Sequence, residues 1–516
     1  MRNRCVEASA RRLCAVVCAG LTVAVGGVRA EETAFMDGIA KPGAGGGSPR
    51  ANTRFKDAQR PAAPVARVVT PALDVVKLLA EDAAQSMGGP QRMGVVQDVQ
   101  IRSSKNGAWR KQADGTQVWN LSFHAPGAAA LRLKIASWPP PEGAALFVYN
   151  VNDPSECFGP FGRMFETPSG VFWTPTIYGD EVAVEYSLPP GVPAETPGAQ
   201  LTVESLLNQY RELPGDVQKL LELPCHLDVT CYPAWANEAA GVGALSYISD
   251  SYGFFCSGCL LNRDPADFLP LFMTANHCGV RTNNVDSLLI TWFYQTSVCN
   301  GTPPNPNTLP QTAGRACLVN DTNTDFTLVV LRDELPGGTY FLGWDAGYWA
   351  NGSASAGIHH PRGTYKRISF GTKQADITSC VGSQNWYVEL PDGNGDVEPG
   401  SSGAPAMDSS HRVRGPESCA NWACNSANVV DYGRFDLAWP NIGPFLQPAN
   451  PVYVNRAFGG TEQGTLANPF RTVFKAGFAV TSGSDVQIEA GNYNERLTLD
   501  RPMRLNSRNG VAALGR

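Results

Sequence analysis

A chain of 516 residues is too long for one hydrophobic core and predicts several domains. Its composition is 43% hydrophobic and 17% charged, and a formal net charge of −6 excludes the basic footprint of a nucleic-acid binder. The 53 glycines and 39 prolines argue for turns and short strands rather than helix bundles.

Residues 1–30 read as an export signal. Arg2, Arg4, Arg11 and Arg12 form a basic start, Leu13 to Val28 is an apolar run, and Val28-Arg29-Ala30 offers a small residue for cleavage. That run spans 16 residues, short of the roughly 20 a bilayer crossing needs, so a secreted protein with no stable membrane anchor is expected. Residues 31–70, rich in Gly, Ala and Pro, read as a flexible linker. Leu73 to Met87 carries apolar residues at helical spacing and stops at Gly88-Gly89-Pro90. From Val95 to Leu188 the pattern is that of strands. Glu181 to Tyr186, for example, places Val182, Val184 and Tyr186 on one face. Leu201 to Leu213 reads as a second helix. From 220 to 449 helix signals are nearly absent, and runs such as Ser287–Phe293 and Phe326–Leu331 alternate with long Asn/Gly/Pro loops, as in an all-β barrel. Residues 450–516 hold strand–turn pieces at short spacing, Asp485–Tyr493 and Leu497–Leu499, resembling coils of a parallel β-helix.

Export sets how the cysteines are read. Of 14, Cys5, Cys14 and Cys18 fall in the signal, Cys157 stands alone, and the rest lie between Cys225 and Cys424. In an oxidising compartment that set reads as a disulfide framework. Cys256-x-x-Cys259 near His277-Cys278 also has zinc-like spacing, a reading that export disfavours. Asp392-Gly393-Asn394-Gly395-Asp396 starts like a calcium loop but lacks the later Gly and Glu, and reads as a turn. No metal or cofactor is expected.

Three segments carry residues suited to nucleophilic catalysis. Peptide-bond attack by serine needs a general base, a carboxylate to hold the base's tautomer, and backbone N–H groups for the oxyanion. His277, in Thr274-Ala275-Asn276-His277-Cys278-Gly279, follows an apolar strand and is tied down by a neighbouring half-cystine; His359-His360 is a competing pair. Asp325 enters the apolar strand at Phe326, and a buried carboxylate demands a partner; Asp321 and Asp333 are rivals placed less directly before it. Ser402 lies in Glu398-Pro399-Gly400-Ser401-Ser402-Gly403-Ala404-Pro405, where small residues allow a tight turn and leave the Gly400 and Ser402 amides as oxyanion donors. The order His277, Asp325, Ser402 is that of chymotrypsin-like enzymes.

With Ile358-His359-His360-Pro361 and Lys366-Arg367-Ile368-Ser369, these segments resemble the bacterial lysyl endopeptidases, trypsin-like enzymes with a chymotrypsin double β-barrel. The resemblance covers about 220–450, and Leu131–Tyr149 with Phe172–Tyr186 are similar to the family's propeptide. It implies a mainly β chain: a chymotrypsin-like double β-barrel protease domain at 220–449, preceded by a small β-rich propeptide at 71–219 and followed by a short β-helix-like tail at 450–516. It further implies protein or peptide substrates cut after Lys, a propeptide acting as intramolecular inhibitor, and a self-cut after Lys219. Ser401, where pancreatic-type enzymes place Asp, cannot hold a new N-terminus by an ion pair, so activation would come from propeptide removal. Implied disulfides are Cys225–Cys419, Cys231–Cys299 and Cys256–Cys278, with Cys317–Cys380 and Cys259–Cys424 left as guesses.

The chain departs from the family at two points. The family's specificity pocket has an Asp shortly before Tyr-Gly-Arg. Here, in Val430-Asp431-Tyr432-Gly433-Arg434, either Asp431 is the pocket base or Val430 is its equivalent. The segment from Ser402 to Cys419 is also short, and His411–Pro416 lacks most of the strand that lines the pocket. An impaired protease scaffold serving as a secreted binding or adhesion protein is the alternative that this shortening raises.

Overall fold

The computed structural model describes residues 34–41, 66–83, 90–136, 138–163, 167, 169–196, 198–211, 224–332, 335–495, 497–499 and 501–515. The expected leader and the bond after Lys219 lie outside them. Among the described residues no helix is long and apolar enough to cross a membrane.

The N-terminal part is a sandwich. Alternation in Glu181–Leu188 turns Val182, Val184, Tyr186 and Leu188 inward, and register places Val184 between Leu121 and Val148 of the flanking strands. This sheet closes over Trp119, Leu133, Ile135 and Leu206 against strands Gln91–Arg102, Ala130–Ala136 and Thr202–Gln209. The first helix is observed at Val75–Ala83, opened by Asp74, whose Oδ1 accepts the Lys77 amide at 3.0 Å. The helix expected at Leu201–Leu213 is instead the strand Thr202–Gln209, paired on both edges. A bulge between Val203 and Ser205 shifts the side-chain phase, so Val203, Leu206 and Leu207 imitate helical spacing while lying in a sheet.

Two β-barrels follow, each of six strands. The first runs from Val242–Ser249 to Phe326–Leu331, and Leu271–Ala275 closes it by pairing with both Phe326–Leu331 and Tyr252–Leu261. The second comprises Ala354–His359, Arg367–Thr378, Gln384–Leu390, Pro405–Met407, Val413–Ala420 and Asn428–Gly433, closed by pairing between the last two. Strand Gln91–Arg102 of the sandwich pairs with Tyr252–Phe255 of the first barrel, so one sheet runs through both. In the tail, Val452–Val454, Asp485–Tyr493 and Arg504–Leu514 pair in parallel. Val454, Phe470, Val486 and Ile488 share one core with Leu328 and Phe445 of the barrel region. Arg263, 1% exposed, ties the two together by donating from Nη1 to the Phe478 carbonyl at 2.8 Å and from Nη2 to that of Val480 at 3.2 Å.

Two further expectations are corrected. Part of the supposed linker at 31–70 is strand: Phe35–Met36 pairs with Trp344–Asp345 and Ile39–Ala40 with Tyr340–Phe341, and Arg412 bonds Asp37 at 2.8 Å. Its apolar residues flank Gly38 and meet an edge that has backbone groups to satisfy. The disulfides are Cys225–Cys424, Cys231–Cys299, Cys256–Cys278 and Cys380–Cys419. Cys225–Cys419 is thus overturned: Cys419 lies in strand Val413–Ala420 with its Cα 6.2 Å from that of Cys380, while Cys424, beyond that strand, approaches Cys225 to 5.6 Å. Cys259–Cys424 and Cys317–Cys380 also fail, because Cys259 is buried in the first barrel's core and Cys317 sits opposite Val329 on a barrel strand; both are free thiols.

Candidate active site

The site lies where loops of the two barrels meet, and each barrel supplies part of it. Strand Leu271–Ala275 delivers His277, and the Cys256–Cys278 bridge pins the loop that follows to the neighbouring strand. The same sulfur of Cys278 lies 3.6 Å from the Ser402 carbonyl oxygen, so the disulfide also touches the serine loop.

Asp325 is 1% exposed and precedes the apolar strand Phe326–Leu331. Its Oδ1 accepts the His277 amide at 2.7 Å, and its Oδ2 lies 2.7 Å from His277 Nδ1 and accepts the Ser418 hydroxyl at 2.6 Å. The carboxylate is therefore paired, as burial requires. Its backbone sits at φ 52°, in the left-handed region, and its carbonyl takes the Asn276 amide at 2.9 Å. An Asp tolerates that conformation at modest cost, and it aims the carboxylate back at the histidine loop. With Nδ1 facing a carboxylate, Nδ1 carries the proton and Nε2 is left as an acceptor. Nε2 is shielded from solvent and has no hydrogen-bond partner among the described residues, so the Ser402 hydroxyl does not donate to it here. Such contacts commonly tighten only when substrate is bound.

The Ser402 loop is held by main-chain bonds that only glycines permit. Gly400 has φ 102°, and a Cβ there would meet the Arg362 and Gly363 amide nitrogens at 3.0 Å. A Cβ on Gly403 would stand 2.4 Å from the Ser257 carbonyl oxygen. Ser257 acts as a clasp: its amide donates to the Ser402 carbonyl at 2.8 Å and its hydroxyl to the Gly400 carbonyl at 2.9 Å. Ser401 and Gly403 amides donate to Glu398 and Glu417 carbonyls. The amides of Gly400 and Ser402 are left without a main-chain acceptor among the described residues, as oxyanion donors must be.

Beneath this loop lies a second polar layer. Ser401 Oγ is 2.8 Å from His359 Nδ1, and burial, with His226 and His360 nearby, holds the His359 pKa well below the usual imidazole range. Glu398 is taken on both oxygens, by Arg362 Nε at 2.6 Å and His226 Nε2 at 2.9 Å. The His359-His360 pair thus supports the serine loop, His359 through Ser401 and His360 through Ser257, and has no hydrogen bond to Asp325 among the described residues.

The short segment after Ser402 still builds a strand, Val413–Ala420, from fewer residues than expected. Arg414 is only 3% exposed and is paired with Asp345 at 2.8 Å. Of the two pocket candidates, Val430 packs in an apolar cluster with Trp386, Val388 and Tyr432. Asp431, opposite Cys419 and Tyr387, is 8% exposed with Oδ1 unpartnered among the described residues, and burial pushes its pKa to about 7. Sequence reasoning missed Ser257, Ser418 and Glu417. The first two act through contacts made only in the folded chain, and a lone serine carries no spacing signal; Ser418 at least adjoins Cys419.

Residues 223–434 match the family model described as the lysyl endopeptidase C-terminal domain, and residues 69–206 match that of the lysyl endopeptidase N-terminal domain. A lysyl endopeptidase of Pseudomonas aeruginosa is 30% identical over 331 residues, covering 60% of this chain and 70% of that protein. The chain belongs to the lysyl endopeptidase family. It is a trypsin-like serine endopeptidase. Looser likenesses are to an HtrA-type protease, AlgW, with a tripeptide (TM-score 0.30, 16% identity, 41% of this chain and 62% of that one) and to the Rv3671c protease of M. tuberculosis in its active form (TM-score 0.30, 14% identity, 42% and 87%). Likenesses of that size add nothing to the sequence match.

Proposed function

We propose that this endopeptidase is secreted and cleaves after lysine, with Ser402 as nucleophile, His277 as base and then acid, and Asp325 as the group orienting it. The observation that carries the assignment is the buried Asp325 carboxylate, bonded at once to His277 Nδ1, the His277 amide and Ser418. In that arrangement Nε2 takes the Ser402 proton as Oγ adds to the substrate carbonyl. The oxyanion meets the amides of Gly400 and Ser402. His277 then gives its proton to the leaving amine, and water repeats the sequence to free Ser402. Asp431 is the sequence candidate for the acidic base of the lysine pocket.

The sandwich at 71–219 is the propeptide in this reading, and it inhibits by strand addition. Its residues Gln91, Arg92 and Val95 pair with Phe255, Phe254 and Tyr252, immediately before the Cys256–Cys278 bridge that carries the histidine loop. A substrate needs such an edge for its own backbone. The proposed boundaries are 1–30 signal, 71–219 propeptide, 220–449 protease and 450–516 tail.

Ser402→Ala tests the assignment directly. It should lose fluorophosphonate labelling and lower turnover of lysyl peptides by about five orders of magnitude. Labelling elsewhere, or cleavage within tenfold of wild type, would sink it.

A further inference from the structure

In a trypsin-like site the side chain preceding the cut must enter beside the nucleophile, between its loop and the strands Val413–Ala420 and Asn428–Gly433. Four buried carboxylates belong to the segment leading to Ser402 and to those two strands, and they differ in one respect. Both oxygens of Glu398 are taken, as above. Asp396 is taken twice as well, Oδ1 by the Val397 amide at 2.8 Å and Oδ2 by Asn428 Nδ2 at 2.9 Å. Glu417 and Asp431 each keep one buried oxygen, Oε2 and Oδ1, without a hydrogen-bond partner among the described residues. An unpaired buried carboxylate oxygen is costly, and a fold retains one where a ligand supplies the missing partner.

Glu417 is the better placed of the two. Its amide donates to the Ala404 carbonyl and its carbonyl accepts the Gly403 amide, both at 2.8 Å, so it is bonded to the two residues that follow the nucleophile. The next residue, Ser418, holds Asp325. Across the sheet Glu417 faces Tyr432, and the side chain is 4% exposed. Asp431 sits one strand farther away, opposite Cys419. Burial first, then Asp396, push the Glu417 pKa well above the usual carboxylate range, as expected of a carboxyl group still lacking a cation.

We propose that Glu417 is a specificity-determining residue of this endopeptidase, its carboxylate receiving the ammonium of a substrate lysine at the floor of the cleft beside Ser402. This rests on Ser402 being the nucleophile. If Val430 rather than Asp431 is the equivalent of the family's pocket Asp, the charge has moved to the neighbouring strand.

The test uses the full chain, with variants processed in trans by wild-type enzyme. Wild type, Glu417→Gln, Glu417→Asp and Asp431→Asn are titrated with a fluorophosphonate and assayed on matched peptides bearing Lys, Arg or norleucine before the cut. Glu417→Gln should lower kcat/KM for Lys by a factor of about 10² to 10³, the usual effect of removing one partner of a buried charge pair, and leave norleucine within about threefold. Glu417→Asp, with its carboxylate drawn back by one methylene, should favour the longer Arg over Lys by about tenfold relative to wild type. It also decides the matter if the Gln variant fails to titrate. Fully titratable variants that keep wild-type Lys preference would overturn the proposal, as would loss confined to Asp431→Asn. A wild type that neither titrates nor cleaves refutes the nucleophile assignment instead.

Discussion

Arg263→Met should loosen the tail from the protease and destabilise both. The guanidinium is buried and donates to the Phe478 carbonyl at 2.8 Å and the Val480 carbonyl at 3.2 Å, and it pairs with Asp267 at 3.0 Å. Methionine fills much of the volume but leaves those carbonyls buried without donors. Hydrogen bonds to a charged group contribute about 1.5–3 kcal/mol each, so losing two costs about 3–6 kcal/mol, softened by the removal of a charge whose burial is itself unfavourable. We expect a net loss of about 3 kcal/mol, read as a lower urea midpoint with little change in slope, and as earlier proteolytic release of residues 450–516. A variant within 1 kcal/mol of wild type, with an equally resistant tail, would refute the idea that this latch matters.

Ser418→Ala removes one of two donors to Asp325 Oδ2, and kcat on lysyl peptides should fall about tenfold with the protein still folded; unchanged kinetics would show that His277 alone orients the carboxylate. Asp431 gives a pH prediction. Its folded-state pKa is raised from 3.8 to about 7, so the neutral acid is favoured in the fold. The stability present at low pH is then lost as pH rises through about 4 to 7, approaching roughly 4 kcal/mol in all. Asp431→Asn should flatten this part of the curve in urea titrations at pH 4 to 8, and parallel curves for variant and wild type would rule the origin out.

The elements legible in the sequence were those with local causes. Phe326–Leu331 is an unbroken apolar run, and the loop around Ser402 is dense in glycine because no Cβ fits at Gly400 or Gly403. The half-cystine beside His277 marked a fixed loop. What stayed illegible depends on topology. Cys419 and Cys424 lie close in sequence, and only the course of the chain after Ala420 decides which meets Cys225. The bulge after Val203 made a strand look helical. Glu417 reads as an ordinary charged residue until its strand bonds it to Gly403 and Ala404, directly after Ser402.

The two short strands at 35–40 carry a consequence for the processed enzyme. If the chain is severed after Lys219, that upstream peptide no longer shares a covalent backbone with the barrels it decorates. It is retained through its pairing with Tyr340–Asp345, the bonds of Arg412 and Asn262 to Asp37, and the sandwich that follows it in the chain and pairs with Tyr252–Phe255. A tether that kept its local concentration near millimolar is gone, and the two strands leave together with the sandwich when it dissociates into dilute solution. Maturation would then uncover a fresh sheet margin far along the chain from the bond that was cut.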